Sequence, residues 1–550
     1  MQANYNKSAE EFINKGLCVL DNKDFTQRLY KHDATLWKTE EAHTKIINNS
    51  LGWTEVYDWT LAHLKEIEDF AQAAKKDFKH VVLMGMGGSS LAPEVLRVIF
   101  GKKEGWPELL VLDSTNPDWV FCVRKQIDPS KTLFIFASKS GGTVEPSSQF
   151  AYFYEEVRKV KENAGDNFIA ITDPGTGLEK LGTEKKFRKI FLNKSDIGGR
   201  FSALSFFGMV PAALCGIDIE KILKSAKQAG ETFKDGKHSA AAKLGALMGE
   251  AYKAGKDKLT LVMPCAIEVF GLWVEQLVAE STGKEDKGVV PVAGEKADKD
   301  FAYKNDRIFA YISYPCECNE KKIAPKAEIL KASDHPFFEV AMKDKYDIGS
   351  MFLLWEVATA ACGALMEIDP FDQPNVQAAK TIAKNLLTEL SAGKTSPETY
   401  LDIIVSDNLK GKVNLATLGK DLKAILKSND YLAVLPYMHN AEETDKAFNS
   451  LRENLLKQTA HAVLFGYGPR YLHSTGQLHK GDGNNGVFLL ISADGENDVK
   501  IPGAAYSFND LINAQALGDF KALAEKGRRV IKVHIKKPLC EGLKKFISAL

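Results

Sequence analysis

A chain of 550 residues, 45% hydrophobic and 26% charged, has the composition of a soluble globular protein and is long enough for two to four domains around a large core. Lys plus Arg and Asp plus Glu balance at 72 each, so no global charge attracts nucleic acid or an acidic membrane. The opening Met1-Gln2-Ala3-Asn4-Tyr5-Asn6-Lys7 has no apolar signal core, and a cytoplasmic location is expected.

Residues 1–75 read as a polar helical segment with Trp37, Trp53 and Trp59 as packing anchors. From His80 short apolar strands alternate with helices. Val81–Met84, Leu109–Leu112, Leu133–Ala137, Phe168–Ile171 and Lys189–Leu192 have the spacing of a doubly wound α/β domain over 76–220. A Lys/Ala-rich helical connector follows over 221–255. A second α/β domain with a C-terminal extension is expected over 256–550, starting at the strand Leu259-Thr260-Leu261-Val262. Within it Ser350–Met366 approaches membrane-span length, but Glu356 interrupts it, and a central buried helix is expected. Tyr431–Leu435, Ala462–Phe465, Gly486–Ile491 and Arg529–Ile535 are further strands. Of eight scattered cysteines, Cys316-Glu317-Cys318 is the one close pair. It lacks a second pair or nearby histidine, so free thiols are expected rather than a metal site.

The loops carry the chemistry. Ser138-Lys139-Ser140-Gly141-Gly142-Thr143 follows a buried apolar strand, and a helix opens at Glu145-Pro146. Three hydroxyls, an ammonium and two glycines at a helix N-terminus suit a phosphate monoester. Gly85-Met86-Gly87-Gly88-Ser89-Ser90 follows the strand before it. With Asp113 it imitates a dinucleotide fingerprint, but the last fingerprint glycine falls on a serine. The two loops form two walls of one crevice. Gly198-Gly199-Arg200 offers close backbone approach and a fixed cation. Gln276 and Glu280 stand at i and i+4 on one largely apolar helix, Glu280 just before Ser281-Thr282-Gly283, which suits a general base. Phe371-Asp372-Gln373-Pro374 opens a helix that brings Lys380 round two turns later. After Phe465, the loop Gly466–Gly481 holds His473 and His479.

In this order the motifs resemble the glucose-6-phosphate isomerase family, and the stretch from Arg28 through His534, including Tyr471-Leu472-His473-Ser474-Thr475-Gly476-Gln477, is most similar to the isomerase half of fused transaldolase/phosphoglucose isomerase proteins, without the transaldolase half. The resemblance implies two sugar-isomerase (SIS) domains with one substrate site between them, α/β in class, and a helical N-terminal extension. Ser138, Lys139, Ser140 and Thr143 would hold the 6-phosphate. Gly88, Ser89 and Gln276 would line the sugar, with Gly199 and Gln373 also binding substrate. Glu280 would move the proton between C1 and C2 through a cis-enediolate, and Arg200 would stabilise the oxyanion. Lys380, helped by Gln373, would assist a histidine in opening the ring. In the usual isomerase that histidine precedes the lysine. Here the intervening His335 does not match the family segment, so His473 is expected to fill the role, with His479 second.

No metal and no cofactor are expected, and the partners are a small sugar phosphate and a second copy of the chain, not nucleic acid or membrane. Two alternatives remain at this level. A NAD-dependent dehydrogenase rests on Gly85–Ser90 and Asp113, but leaves the Ser138 loop and Glu280 unexplained. A non-catalytic SIS-domain sensor is opposed by Glu280, Lys380 and Arg200 together.

Overall fold

The computed structural model describes residues 2–235, 238–296, 303–391 and 402–550. Three five-stranded sheets carry the fold. The first runs Glu108–Leu112, His80–Met84, Thr132–Ala137, Phe168–Thr172 and Lys189–Leu192, all parallel. Thr132–Ala137 is buried along its whole length, which is why its sequence is unbroken apolar or β-branched rather than alternating. The second sheet orders Ala3–Tyr5, Phe337–Ala341, Arg307–Ser313, Lys258–Val262 and Val290–Val292. Its first strand is antiparallel, so the N-terminal segment is not wholly helical: its opening residues close a sheet edge before helix Lys7–Asn22 begins.

Residues 256–550, read from sequence as one domain with an extension, build two sheets. The third orders Ile403–Val405, Arg529–Ile535, Gly486–Ala493, Tyr431–Tyr437 and Ala462–Phe465, parallel except for the first. All three sheets share one winding. The first strand of each parallel set lies inside, flanked by its second and third, so the direction of winding reverses between the first and third. Loops beyond the carboxyl ends of those two strands enclose a crevice.

Between the first two sheets runs helix Ile348–Met366, with every residue buried. It is the one described helix long and apolar enough to cross a membrane, and it is wrapped by Lys7–Asn22, Ile219–Asp235, Ala240–Lys253 and Phe270–Thr282. Gly245 and Gly249 of Ala240–Lys253 let that helix sit directly on the backbone and side chains of Ala358–Leu365. A continuous core therefore links the N-terminal helices to the first two sheets, and it fixes the Gln276/Glu280 helix against them.

Candidate active site

The two Gly-rich loops sit at the reversal point of the first sheet, after His80–Met84 and Thr132–Ala137. In the second loop the Ser138 hydroxyl meets that of Thr143 at 3.0 Å and accepts the Gly141 N–H at 3.1 Å. Helix Val144–Arg158 starts directly on Thr143, turning its positive end to the loop. Ser140 and Gly142 are exposed, and the loop opens outward above Gly142. Lys139 does not stand free: its ammonium binds Asp173 and, at 2.7 Å, the Ser195 carbonyl. In the first loop, Gly87 has φ +55°, and a methyl group at Gly88 would stand 1.9 Å from the Gly199 carbonyl oxygen. That close approach joins the Gly88-Ser89 wall to the Gly199-Arg200 turn.

Arg200 is buried and fixed on all sides. Its Nε donates to Ser281 Oγ at 2.7 Å, and its terminal nitrogens donate to the carbonyls of Pro370 (2.6 Å) and Asp372 (3.0 Å) and to Gln373 Oε1 (3.0 Å). The Glu280 carboxylate lies 3.7 Å from the same guanidinium and accepts from Gln276 Nε2 at 3.1 Å. A rigid cation beside a carboxylate that keeps part of its surface open is an arrangement for moving a proton next to developing negative charge. Behind Arg200, Lys284 donates to the Asp372 carbonyl and carboxylate. Burial, with Arg200 adding to it, pushes Lys284 down to about 8 against the pull of Asp372. His43, Asp369 and Asp372 are, among the described residues, the one group of side chains close enough to hold a metal. The Lys284 ammonium already occupies the Asp372 carboxylate.

The third sheet delivers His473. The turn Arg470–His473 follows Ala462–Phe465 and reaches back to the first sheet. His473 accepts the second Gln276 N–H on its carbonyl at 2.8 Å, and its Nε2 lies 2.9 Å from Glu145 Oε1. Burial would raise the Glu145 carboxyl, but His473, through charge and hydrogen bond, and then Lys380 hold it below its usual range. An ionised Glu145 only accepts, so His473 Nε2 carries a proton and Nδ1 is left for other chemistry. Gln515 supplies a further bond to Glu145 at 2.8 Å. Lys380, on helix Gln377–Ser391, is exposed and reaches the site only through its charge on Glu145.

The structure thus gathers Gly88, Ser89, the Ser138–Thr143 loop, Gly199, Arg200, Gln276, Glu280, Gln373 and His473 around one crevice. The other two histidines lie elsewhere. His479 is buried between Tyr431, Tyr471 and Phe488 with both ring nitrogens unpartnered, and burial holds it well below the usual imidazole range. His335 stands at the amino end of strand Phe337–Ala341, its carbonyl bound by Asn6, opposite to the sheet edge that holds the loops. Asp113, the acid a dinucleotide ribose would need, is engaged by Arg470 at 2.7 and 2.8 Å and by Ser90. Sequence reasoning noted Glu145 only as a helix opener and missed Gln515 and Arg470. No local pattern marks them, because each acts on a loop more than 300 residues away.

The phosphoglucose isomerase family model matches residues 60–299, which hold both Gly-rich loops, Arg200, Gln276 and Glu280. Glucose-6-phosphate isomerase of Campylobacter jejuni is 26% identical over 413 residues, covering 65% of this chain and 99% of the relative. That of Thermus thermophilus is 26% identical over 417 residues, covering 66% and 97%. Among solved structures, a hypothetical protein of Thermus thermophilus superposes with a TM-score of 0.61 at 23% identity, over 70% of this chain and all of its own. A Chlamydia trachomatis glucose-6-phosphate isomerase gives 0.57 at 17% identity, over 70% and 87%. These two share the fold of this chain. The motifs, the crevice they line and the matched relatives point the same way: over residues 60–299 the chain is similar to the phosphoglucose isomerase family.

Proposed function

We propose that this chain interconverts glucose 6-phosphate and fructose 6-phosphate, as an aldose–ketose isomerase of glycolysis and gluconeogenesis. The observation that carries this reading is the Glu280 carboxylate held between Gln276 and Arg200, in a crevice whose other wall is the hydroxyl-rich Ser138–Thr143 loop.

The phosphate sits on that loop, where Ser138, Ser140 and Thr143 donate hydroxyls at the positive end of helix Val144–Arg158. Lys139 contributes field from its place on Asp173, or a direct bond after leaving it. His473, made the proton carrier by Glu145, protonates the ring oxygen and opens the sugar, with Lys380 assisting through its charge on Glu145 and Gln373 from its place on Arg200. Glu280 then removes the C2 proton of the aldose and returns it to C1. Arg200, immobilised by five oxygens within reach, stabilises the enediolate oxygen without reorganising. Gly88, Ser89, Gly199 and Gln276 shape the sugar's floor. A charged phosphate ester as substrate and eight free thiols fit a cytoplasmic enzyme.

Glu280→Gln is the test. The amide keeps the shape but cannot accept the proton, so kcat falls roughly 10²- to 10⁴-fold. KM moves little, since the phosphate loop is intact. Exchange of the C2 hydrogen of glucose 6-phosphate with deuterated solvent, followed by NMR, reads the step directly. Near-normal exchange in the variant eliminates Glu280 as the base.

A further inference from the structure

Gln477 closes the motif that delivers His473, four residues beyond it in the short helix Gly476–Gly481. Its side chain is fully buried. Its Nε2 donates to the Gly283 carbonyl and to Asn375 Oδ1, both at 2.8 Å, and its Oε1 accepts the Asn375 N–H at 2.9 Å. The Gly283 carbonyl and the Asn375 N–H are backbone groups of fixed polarity, so the amide can stand only this way round. Both of its N–H groups are spent on the protein, and it has none to offer a sugar.

The bonds end on two parts of the site. Gly283 follows helix Phe270–Thr282, three residues beyond Glu280. Asn375 lies two residues beyond Gln373, whose Oε1, with the Asp372 carbonyl, holds Arg200. His473 is tied to the same Glu280 helix one turn earlier, where Gln276 donates to both the His473 carbonyl and the Glu280 carboxylate. Gln276 and Gln477 thus fasten the two segments together on either side of Glu280. Between these segments the backbones meet: a methyl group at Gly283 would stand 2.3 Å from Leu478 Cα, and the Asp286 N–H donates to the Gly481 carbonyl at 3.0 Å. Arg200 and Lys284 also join the end of the Glu280 helix to the 370–373 loop, through Ser281 and Asp372, but neither bonds to the His473 segment. Among the described residues, the hydrogen bonds between residues 470–481 and the 370–375 loop are those of Gln477.

We propose that Gln477 is a positioning residue that sets the Glu280 base, the Arg200–Gln373 pair and the His473 acid in one register without touching substrate. The assignment rests on the isomerase function proposed above. Ring opening and proton transfer act on neighbouring atoms of one sugar, and a group displaced by about 1 Å can lose roughly 10²-fold in rate. A buried amide with every N–H engaged resists such a shift, because moving it leaves buried donors and acceptors without partners.

The test uses the full chain and glucose 6-phosphate. Gln477→Met keeps the length of the side chain and removes all three bonds. Its kcat should fall roughly 10- to 100-fold with KM within about twofold, because the phosphate loop lies on the other wall. Exchange of the C2 hydrogen and the ratio of cyclic to acyclic turnover should fall together. Asn375→Ala, at a half-buried position, removes one bond and should show the same split at smaller size. Gln477→Glu supplies a readout that a merely structural role would not move. Uncharged, its carboxyl accepts from the Asn375 N–H and donates to one of the two facing oxygens; ionised, it repels both. Its kcat relative to the unaltered chain should therefore rise as the pH is lowered from about 8 to about 6, with KM steady. Variants within about twofold of the unaltered kcat, a loss confined to KM, or a Gln477→Glu profile parallel to that of the unaltered chain overturn the inference alone. An unaltered chain that does not interconvert the two sugar phosphates overturns the proposed function and this inference with it.

Discussion

Asp113→Ala removes the partner of a nearly buried guanidinium. Asp113 is fully buried and Arg470 keeps 16% of its side-chain surface, and the two make a bidentate pair at 2.7 and 2.8 Å. Breaking a buried pair costs about 3–5 kcal/mol because the remaining charge is left without compensation, and the water reaching Arg470 places the cost near the lower end, about 3 kcal/mol. Arg470 begins the short turn that ends at His473. The loss therefore also frees the His473 carbonyl from Gln276 and its ring from Glu145, lowering kcat while KM for the phosphate stays near its value. The double replacement Asp113→Leu with Arg470→Met exchanges the pair for apolar volume and should recover more than half of the lost stability. Urea unfolding followed by tryptophan fluorescence, on both single variants and the double, reads the cycle, and steady-state assays read the turn. Single variants that each cost under about 1 kcal/mol, or a double variant no better than either, refute the reasoning.

Thr143→Ala should raise KM for fructose 6-phosphate roughly tenfold or more with kcat little changed, the effect of losing one hydrogen bond to a charged group; steady-state kinetics showing an unchanged KM and a reduced kcat would place the phosphate elsewhere. His473→Ala should impair turnover of the cyclic sugar phosphate far more than that of an acyclic analogue, and Glu145→Gln should reproduce part of that selective loss, whereas His335→Ala should not. His479 is neutral in the fold and protonates on unfolding, so the native state is favoured in full above about pH 6.5 and loses about 1.4 kcal/mol per pH unit as the pH drops below it. His479→Phe should remove that part of the pH dependence, measured as the difference between denaturation midpoints at pH 7.5 and 5.5, and should leave kcat unchanged.

The first sheet was legible because its strands are continuous apolar runs between loops of Gly and hydroxyl residues, a pattern local enough to survive without any neighbour in view. The i to i+4 placement of Gln276 and Glu280 and the buried helix over Ser350–Met366 were legible for the same reason, since helical periodicity lies along the chain. Sequence also brought His473 forward, through its motif. It could not separate His473 from His479, six residues on: one ring meets Glu145 and the other is enclosed by Tyr431, Tyr471 and Phe488. That choice depends on which face of a short turn packs inward. The gathering of the strands over 431–535 into a third sheet of their own, the antiparallel edge strand Ala3–Tyr5 and the capture of Asp113 by Arg470 were likewise decided in three dimensions. Each joins segments whose separation in the chain leaves no periodicity to read. Residue type and spacing determined which groups this chain can offer to a sugar phosphate; burial and long-range pairing decided which of them face it, because a side chain's charge and hydrogen bonds are set by its neighbours in space.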